Sequence, residues 1–359
     1  MLKRIVRRNF LLLTILCIST SVLSQEPQKK PKNIILLIGD GMGLSEISSS
    51  LYFNDNPSSF LRFNTVGLSM TSSSKELITD SAAGATAFAS GIKTYNGAIG
   101  VDEQMNPVET LVELISKKGV VTGLVSTSSV VHATPAAFYA HQESRRMYDA
   151  IAEDLVKSDI DFFAGGGLQY FQNRADGKNL IKALRDRNFQ VETEKLPQKI
   201  SEKKQAILLA ADGMPKMSEN RGNFLTNATM LAIGQLSKNP EGFFLMVEGS
   251  QIDWGGHAND GEYLINELID FDKTIGAVLD FAEKNGETLV IVTADHETGG
   301  FSLSANEGNY NKIIASFSTT GHTATMVPVF AQGPGEGHFG GIYQNTNIFF
   351  LMKRLFNRN

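Results

Sequence analysis

One cysteine, one tryptophan and six histidines occur among 359 residues. A lone Cys17 excludes an intramolecular disulfide framework and a multi-thiolate metal cluster, and if the N-terminal segment that carries it is removed, any metal must be held by imidazole and carboxylate. No run approaches the ~20 apolar residues that span a bilayer, so no stable membrane span is expected. Basic residues number 33 against 38 acidic ones, which leaves no charge surplus for a nucleic-acid-binding face. Internal repeats and low-complexity blocks are also missing. What remains, 42% hydrophobic and 20% charged residues, is the balance of a globular protein. Its length suffices for a large core, in one large domain or two ordinary ones.

The first 24 residues differ from the rest. "MLKRIVRRNF" carries four basic residues and no acid, and "LLLTILCISTSVLS" follows it as a short apolar run. This is the pattern of a cleaved secretory signal over residues 1–24, with a polar linker over 25–32. The bulky Leu16 before Cys17 fits lipoprotein processing poorly. Cleavage would remove the only cysteine and four basic residues, taking the formal charge from −5 to −9. The expected location is exported, either periplasmic or secreted.

From residue 33 one grammar recurs. "NIILLIGDGMG" (33–43), "GVVTGLVSTSS" (119–129), "GFFLMVEGS" (242–250), "TLVIVTADH" (288–296) and "VPVFAQG" (327–333) are apolar runs that end in Gly or polar residues. Helical patterns at 108–117, 147–157, 224–237 and 260–284 lie between them. Such alternation predicts an α/β protein, a three-layer sandwich with a mostly parallel central sheet. Residues 33–359 read as a single catalytic domain with a small irregular excursion near 165–215.

In such sheets, functional groups gather beyond the carboxyl ends of strands. Asp40 follows the first run, and Glu248, Asp253 and His257 follow the third. Asp295-His296 ends the fourth, and His322 precedes the fifth. Acids converging on one sheet edge repel unless cations sit among them. Mixed imidazole and carboxylate ligands suit zinc in an open catalytic site, whereas all-oxygen ligands suit magnesium. "LITDSAAGATAFASGIKTYNGAIG" (77–100) has two readings. Asp80-Ser81 either caps a close-packed helix or presents a serine nucleophile at a helix N-terminus, where free N–H groups and the dipole favour phosphate.

"IGDGMG", "TDSAAGATAFASGIKTYNG", "HATP", "VEGSQIDWGGHAND", "TADHETGG" and "GHTA" together closely resemble the alkaline phosphatases, in order, from about residue 33 to about 335. The resemblance implies an alkaline-phosphatase-like fold and hydrolysis of small-molecule phosphate monoesters through a covalent phosphoserine. It implies two Zn²⁺ and one Mg²⁺ per subunit. Asp253, His257 and His322 would hold the first zinc, and Asp40, Asp295 and His296 the second, with Ser81 as nucleophile. Thr134 and Glu248 would complete a magnesium site shared with Asp40. Arg145 would clamp the phosphate, although Arg146 is adjacent, and Asp80 would cap the helix and orient that arginine.

Some positions depart from the best-known enterobacterial members. His132 stands where they carry Asp, which weakens magnesium at the third site or admits zinc there. Trp254 stands where they carry Lys and is either a packing residue or a substrate-facing one. The family's disulfides are impossible here. Only 25 residues separate His296 from His322, so the crown insertion is reduced and the expectation of a homodimer weakens. Two alternatives stand beside the phosphomonoesterase: a phosphodiesterase or sulfatase of the same superfamily, and a catalytically silent metal- or phosphate-binding protein. "GGG" at 165–167 lacks the Lys-Ser/Thr of a phosphate loop and reads as a tight strand-to-helix turn. His141 and His338 receive no role.

Overall fold

A computed structural model describes residues 30–357. The signal segment expected at 1–24, and linker residues 25–29, lie outside the described residues.

The strands, in chain order, are β1 (Asn33–Gly39), β2 (Thr65–Met70), β3 (Val121–Ser129), β4 (Phe162–Gly166), β5 (Phe189–Glu192), β6 (Lys204–Leu208), β7 (Phe243–Gly249) and β8 (Thr288–Thr293). After them come β9 (Glu297–Thr298), β10 (Ser302–Asn306), β11 (Asn309–Ser316), β12 (His322–Thr323), β13 (Val327–Gln332) and β14 (Gly341–Gln344). Ten of them form one sheet in the order β14-β2-β13-β8-β1-β7-β3-β4-β6-β5. All its pairings are parallel except those of β13, which runs against both β8 and β2. The fold is the mostly parallel α/β/α sandwich that the alternation of runs implied.

The continuous apolar runs follow from burial on both faces. In β1, Ile34, Leu36 and Ile38 enter one core, while Ile35 and Leu37 enter the other. The first core packs against helices Ser81–Ser90, Leu111–Ser116, Tyr148–Lys157 and Thr346–Phe356. The second packs against Phe224–Leu236 and the long helix Gly261–Asn285. Each expected helical pattern appears as a helix within three residues of its expected ends.

Two features differ from the sequence reading. Residues 165–215 are not an irregular excursion, because they extend the sheet with β5 and β6 and add a helix at Leu180–Asp186. β5 is a short edge strand of only four residues, too brief for an alternating pattern to show. The glycines at 165–167 do end a strand in a turn, with Gly167 at φ +102° leading into a short 3₁₀ helix. Between His296 and His322 lies only the β10–β11 hairpin, flanked by the small β9–β12 pair. Among the described residues no helix is long and apolar enough to cross a membrane.

Candidate metal centre and active site

The carboxyl ends of β1, β7 and β8 lie side by side in register, Gly39 against Gly249 and Ile38 against Thr293. Residues that follow these strands therefore meet at one edge. Asp40, Glu248, Asp253, Asp295 and His296 are all buried there. Gly41 turns the chain with φ +72°, and a Cβ on it would lie 2.8 Å from the Asp253 Cα. Its N–H donates to Asp295 Oδ1 at 3.2 Å. Glycine is thus required in "GDGMG" both for its backbone angle and for the close approach of the next loop.

Ser81 begins a ten-residue helix in which every residue is buried. Asp80 caps it, its carboxylate accepting from Ala83 N at 3.0 Å. The small residues let the helix start reach the acids, since a Cβ on Gly84 would lie 3.0 Å from the Asp295 Cβ. Ser81 Oγ consequently sits 3.5 Å from Asp40 Oδ1 and 3.3 Å from His296 Nε2. The two readings of this segment are therefore compatible: Asp80 supplies the cap, and Ser81 beside it stands at the helix N-terminus against Asp40 and His296.

Among the described residues, three groups of side chains could hold a metal ion: Asp253, His257 and His322; Asp40, Asp253 and His296; and Asp40, His132 and Glu248. The first is the set inferred for one zinc. The second has Asp253 beside Asp40 and His296, with Asp295 Oδ2 also 3.2 Å from His296 Nε2. The third includes His132, and Thr134 Oγ1 donates to Asp40 Oδ2 at 3.4 Å.

The donor chemistry fits cations. His257 Nδ1 bonds the Thr320 carbonyl at 2.6 Å and His322 Nδ1 the Thr79 carbonyl at 2.9 Å, so both must carry the proton on Nδ1. In the neutral tautomer this leaves a lone pair on each Nε2; these atoms face one another at 3.1 Å, with Asp253 Oδ1 at 3.4 and 3.5 Å. Two lone pairs and a carboxylate oxygen around one point form a ligand set rather than a hydrogen-bond network. Asp295 Oδ2 and Glu248 Oε1 are buried without hydrogen-bond partners. Burial pushes the Asp40 carboxyl well above the usual range, and the charges of Asp295, Asp253 and Glu248 push it further. Divalent ions would relieve this repulsion.

Arg145 Nη1 donates to Asp80 Oδ2 at 3.0 Å, and Nη2 lies 3.4 Å from His132 Nε2. Arg146 is exposed, and its backbone N–H donates to Ser144 Oγ. Of the two arginines only Arg145 is aimed at the Ser81 helix. His132 is held down to about 4 by burial and by the Arg145 charge, so its ring is neutral. Trp254 packs edge-on to His132 with ring centroids 6.1 Å apart. A Cβ on Gly213 would lie 2.6 Å from the indole, so the missing side chain there makes room for Trp254. His141 bonds Glu113 and the Gly100 carbonyl, and His338 bonds Arg354; both belong to other parts of the molecule.

Several supporting groups were not singled out from the sequence. Thr298 Oγ1 donates to Asp253 Oδ1 at 2.5 Å and lies 3.2 Å from His296 Nδ1, tying two metal groups together. Its position two residues after His296 was the one available signal. Ser126 and Ser128 bond Glu248 Oε2 at 2.6 and 3.2 Å, and Ser250 bonds Ser126. Glu46 is buried beside Glu297 and pushed well above the carboxylate range by burial and then by the Glu297 charge. Nothing in the local sequence separates these serines and Glu46 from surface polar residues.

A parallel sheet that gathers carboxylates, imidazoles and a helix-terminal serine at its carboxyl edge defines a metal-dependent hydrolase. Residues 31–317 match the family model for alkaline phosphatase. Alkaline phosphatase 3 of Bacillus subtilis is 41% identical over 302 residues, covering 79% of this chain and 64% of that protein. Alkaline phosphatase 4 of the same organism is 36% identical, covering 90% of this chain and 89% of its own length. The solved structure of alkaline phosphatase from the Antarctic bacterium TAB5 superposes with a TM-score of 0.91 at 51% identity, over 92% of this chain and 99% of that one. A histidine-to-aspartate mutant of that enzyme, which superposes equally well, has magnesium bound in its M3 site. The chain belongs to the alkaline phosphatase family, enzymes that hydrolyse phosphate monoesters at a metal centre.

Proposed function

We propose that this chain converts phosphate monoesters to alcohol and inorganic phosphate by two successive displacements at Ser81. The observation that carries the reading is the placement of Ser81 Oγ, at a helix N-terminus and within 3.5 Å of both Asp40 and His296, with Arg145 anchored to the adjoining Asp80. The substrate phosphoryl group would accept from the free N–H groups of the helix start. Arg145 offers a planar fork for two non-bridging oxygens. Ser81 Oγ attacks phosphorus, the ester P–O bond breaks, and the alcohol leaves from the opposite face. Water then attacks the phosphoserine from that vacated side, the P–Oγ bond breaks, and phosphate departs.

Asp253, His257 and His322 would hold one zinc, Asp40, Asp295 and His296 a second, and Asp40, Thr134 and Glu248 a magnesium ion near His132. Bound there, these ions supply Lewis acidity that lowers the pKa of a hydroxyl or water and stabilises charge on the entering and leaving oxygens. A neutral His132 removes one negative charge from the third group and supplies a nitrogen donor, which favours zinc over magnesium there. The basic-then-apolar N-terminus supports export of the chain.

Ser81→Ala is expected to lower turnover of a phosphate monoester by ~10⁴-fold or more while the zinc content stays unchanged. Acid quench of the wild type with ³²P-labelled substrate should leave label on Ser81. Retained turnover in the mutant would overturn the mechanism. Faster hydrolysis of a diester or a sulfate ester than of a monoester would overturn the substrate class.

A further inference from the structure

We infer that Asn96 is a positioning residue that fixes the spacing between the Ser81 hydroxyl and the Arg145 guanidinium; the inference rests on the phosphotransfer reading above. The two groups come from segments more than sixty residues apart, and Arg145 is a long, rotamer-rich side chain on a loop. Something must hold its backbone at a set distance from the start of the Ser81 helix.

The structure supplies a closed ring of bonds. Asp80 N donates to Asn96 Oδ1 at 2.9 Å, and Asn96 Nδ2 donates to the Ile78 carbonyl at 3.0 Å. One amide thus grips the chain at two points immediately before Ser81. The next carbonyl along, that of Gly97, accepts from Arg145 N at 2.7 Å. Arg145 Nη1 closes the ring on Asp80 Oδ2 at 3.0 Å. The Asp80–Ser81 backbone and the Arg145 backbone are therefore both fastened to one dipeptide, Asn96-Gly97.

Neighbouring bonds stiffen that dipeptide. Ile99 and Gln142 exchange backbone bonds of 2.9 and 2.8 Å, and Tyr95 Oη donates to the Glu143 carbonyl at 2.9 Å. Gly97 has φ +91°, an angle that lets the segment reverse toward the Arg145 loop. The chemistry of position 96 is restrictive. The side chain must accept from one backbone N–H and donate to one backbone carbonyl over a short reach, which an amide does and a carboxylate or hydroxymethyl group does less completely. Aspartate would keep the acceptor, lose the donor, and set a second charge beside Asp80.

The experiment uses the zinc-loaded full chain with Asn96→Ala and, as a near-isosteric second variant, Asn96→Asp, each also combined with Arg145→Ala. Inorganic phosphate affinity is read by titration calorimetry, alongside KM, kcat, zinc content and thermal midpoint. Asn96→Ala is expected to weaken phosphate binding and raise KM by about tenfold with zinc content retained, the size of effect that loss of preorganisation produces. In the Arg145→Ala background the same change should add less than about twofold, because Asn96 acts through the arginine. An unchanged phosphate affinity, or an equal loss in both backgrounds, would overturn the inference. If the alanine variant does not fold, Asn96→Asp decides by the same two criteria. A wild type that binds phosphate but hydrolyses no monoester would refute the functional reading and leave this test intact.

Discussion

Among the described residues, two of the clusters of buried carboxylates are neutralised by different means. On the helix Gly261–Asn285, Glu267 and Asp270 both accept from Arg221 Nη2, at side-chain exposures of 2%, 1% and 1% for Glu267, Asp270 and Arg221. Met217 N and the Pro215 carbonyl take up further bonding capacity of the cluster. At the carboxyl edge of the sheet, Asp40, Glu248, Asp253 and Asp295 have no such partner, for the hydrogen bonds of Arg145 go to Asp80 and His132. A buried acid that carries its own guanidinium is a structural ion cluster. Several buried acids with no guanidinium among them, set against facing imidazole nitrogens, mark the place of an exogenous cation.

This contrast can be broken by experiment. Asp253→Ala touches two of the three candidate metal groups and is expected to lower zinc content and turnover together. The loss should exceed the ~10–100-fold typical of removing a group that only supports a ligand. Metal analysis and a phosphatase assay check it, and full zinc occupancy in the mutant would contradict the assignment. Arg221→Met should do the reverse. It strands two buried carboxylates, so denaturant unfolding should show a loss of about 3–5 kcal/mol at undiminished zinc stoichiometry. Between these lies His132→Asp, which restores a negative charge to the third group. Magnesium titration should show tighter binding than in the wild type, with the thermal midpoint little changed; equal affinity would remove His132 from that site.

The smallest effect concerns His141 and Glu113, an ion pair 3.1 Å long that lies apart from both clusters. Burial alone would lower His141, but the Glu113 and Gly100 bonds outweigh it and raise the ring above its usual value. Burial would likewise raise Glu113, yet the bonds from His141 and Thr110 bring it to about 2. A raised histidine stabilises fully below its unfolded value of about 6.5 and loses that contribution as pH rises through the folded value. A depressed glutamate stabilises above its unfolded value of about 4.3 and loses that contribution as pH falls toward the folded one. His141→Gln should therefore cost about 1 kcal/mol or less between pH 5 and 6.5, with the difference vanishing at alkaline pH. A midpoint difference independent of pH would show that the pair is not charged.

Much of the site was legible because its residues end apolar strands. Asp40, Glu248 and Asp295 each follow or close a run that burial on both sheet faces makes unmistakable. The family motifs added roles for Ser81, Arg145 and Thr134 that spacing alone does not supply. The bond of Thr298 to Asp253, those of the serines to Glu248 and those of the Asn96 amide are not legible because the partners are distant in sequence. Asn96 lies 16 residues from Asp80, and Ser126 lies 122 from Glu248. The β5–β6 edge was missed for a different reason, since four- and five-residue strands carry too short a pattern to distinguish from loop.

By itself the sequence determined the alternation of strands and helices, the absence of any disulfide or multi-thiolate framework, and the collection of acids and histidines at strand ends. These are local properties, set by burial and by composition. Which acids share a centre was decided by tertiary structure. Strand order places β1 between β7 and β8, and only that order brings Asp40 against residues more than two hundred positions away. Which of Arg145 and Arg146 faces the Ser81 helix was decided the same way. Two adjacent arginines are chemically alike, and only the fold turns one of them toward Asp80 and the start of the Ser81 helix.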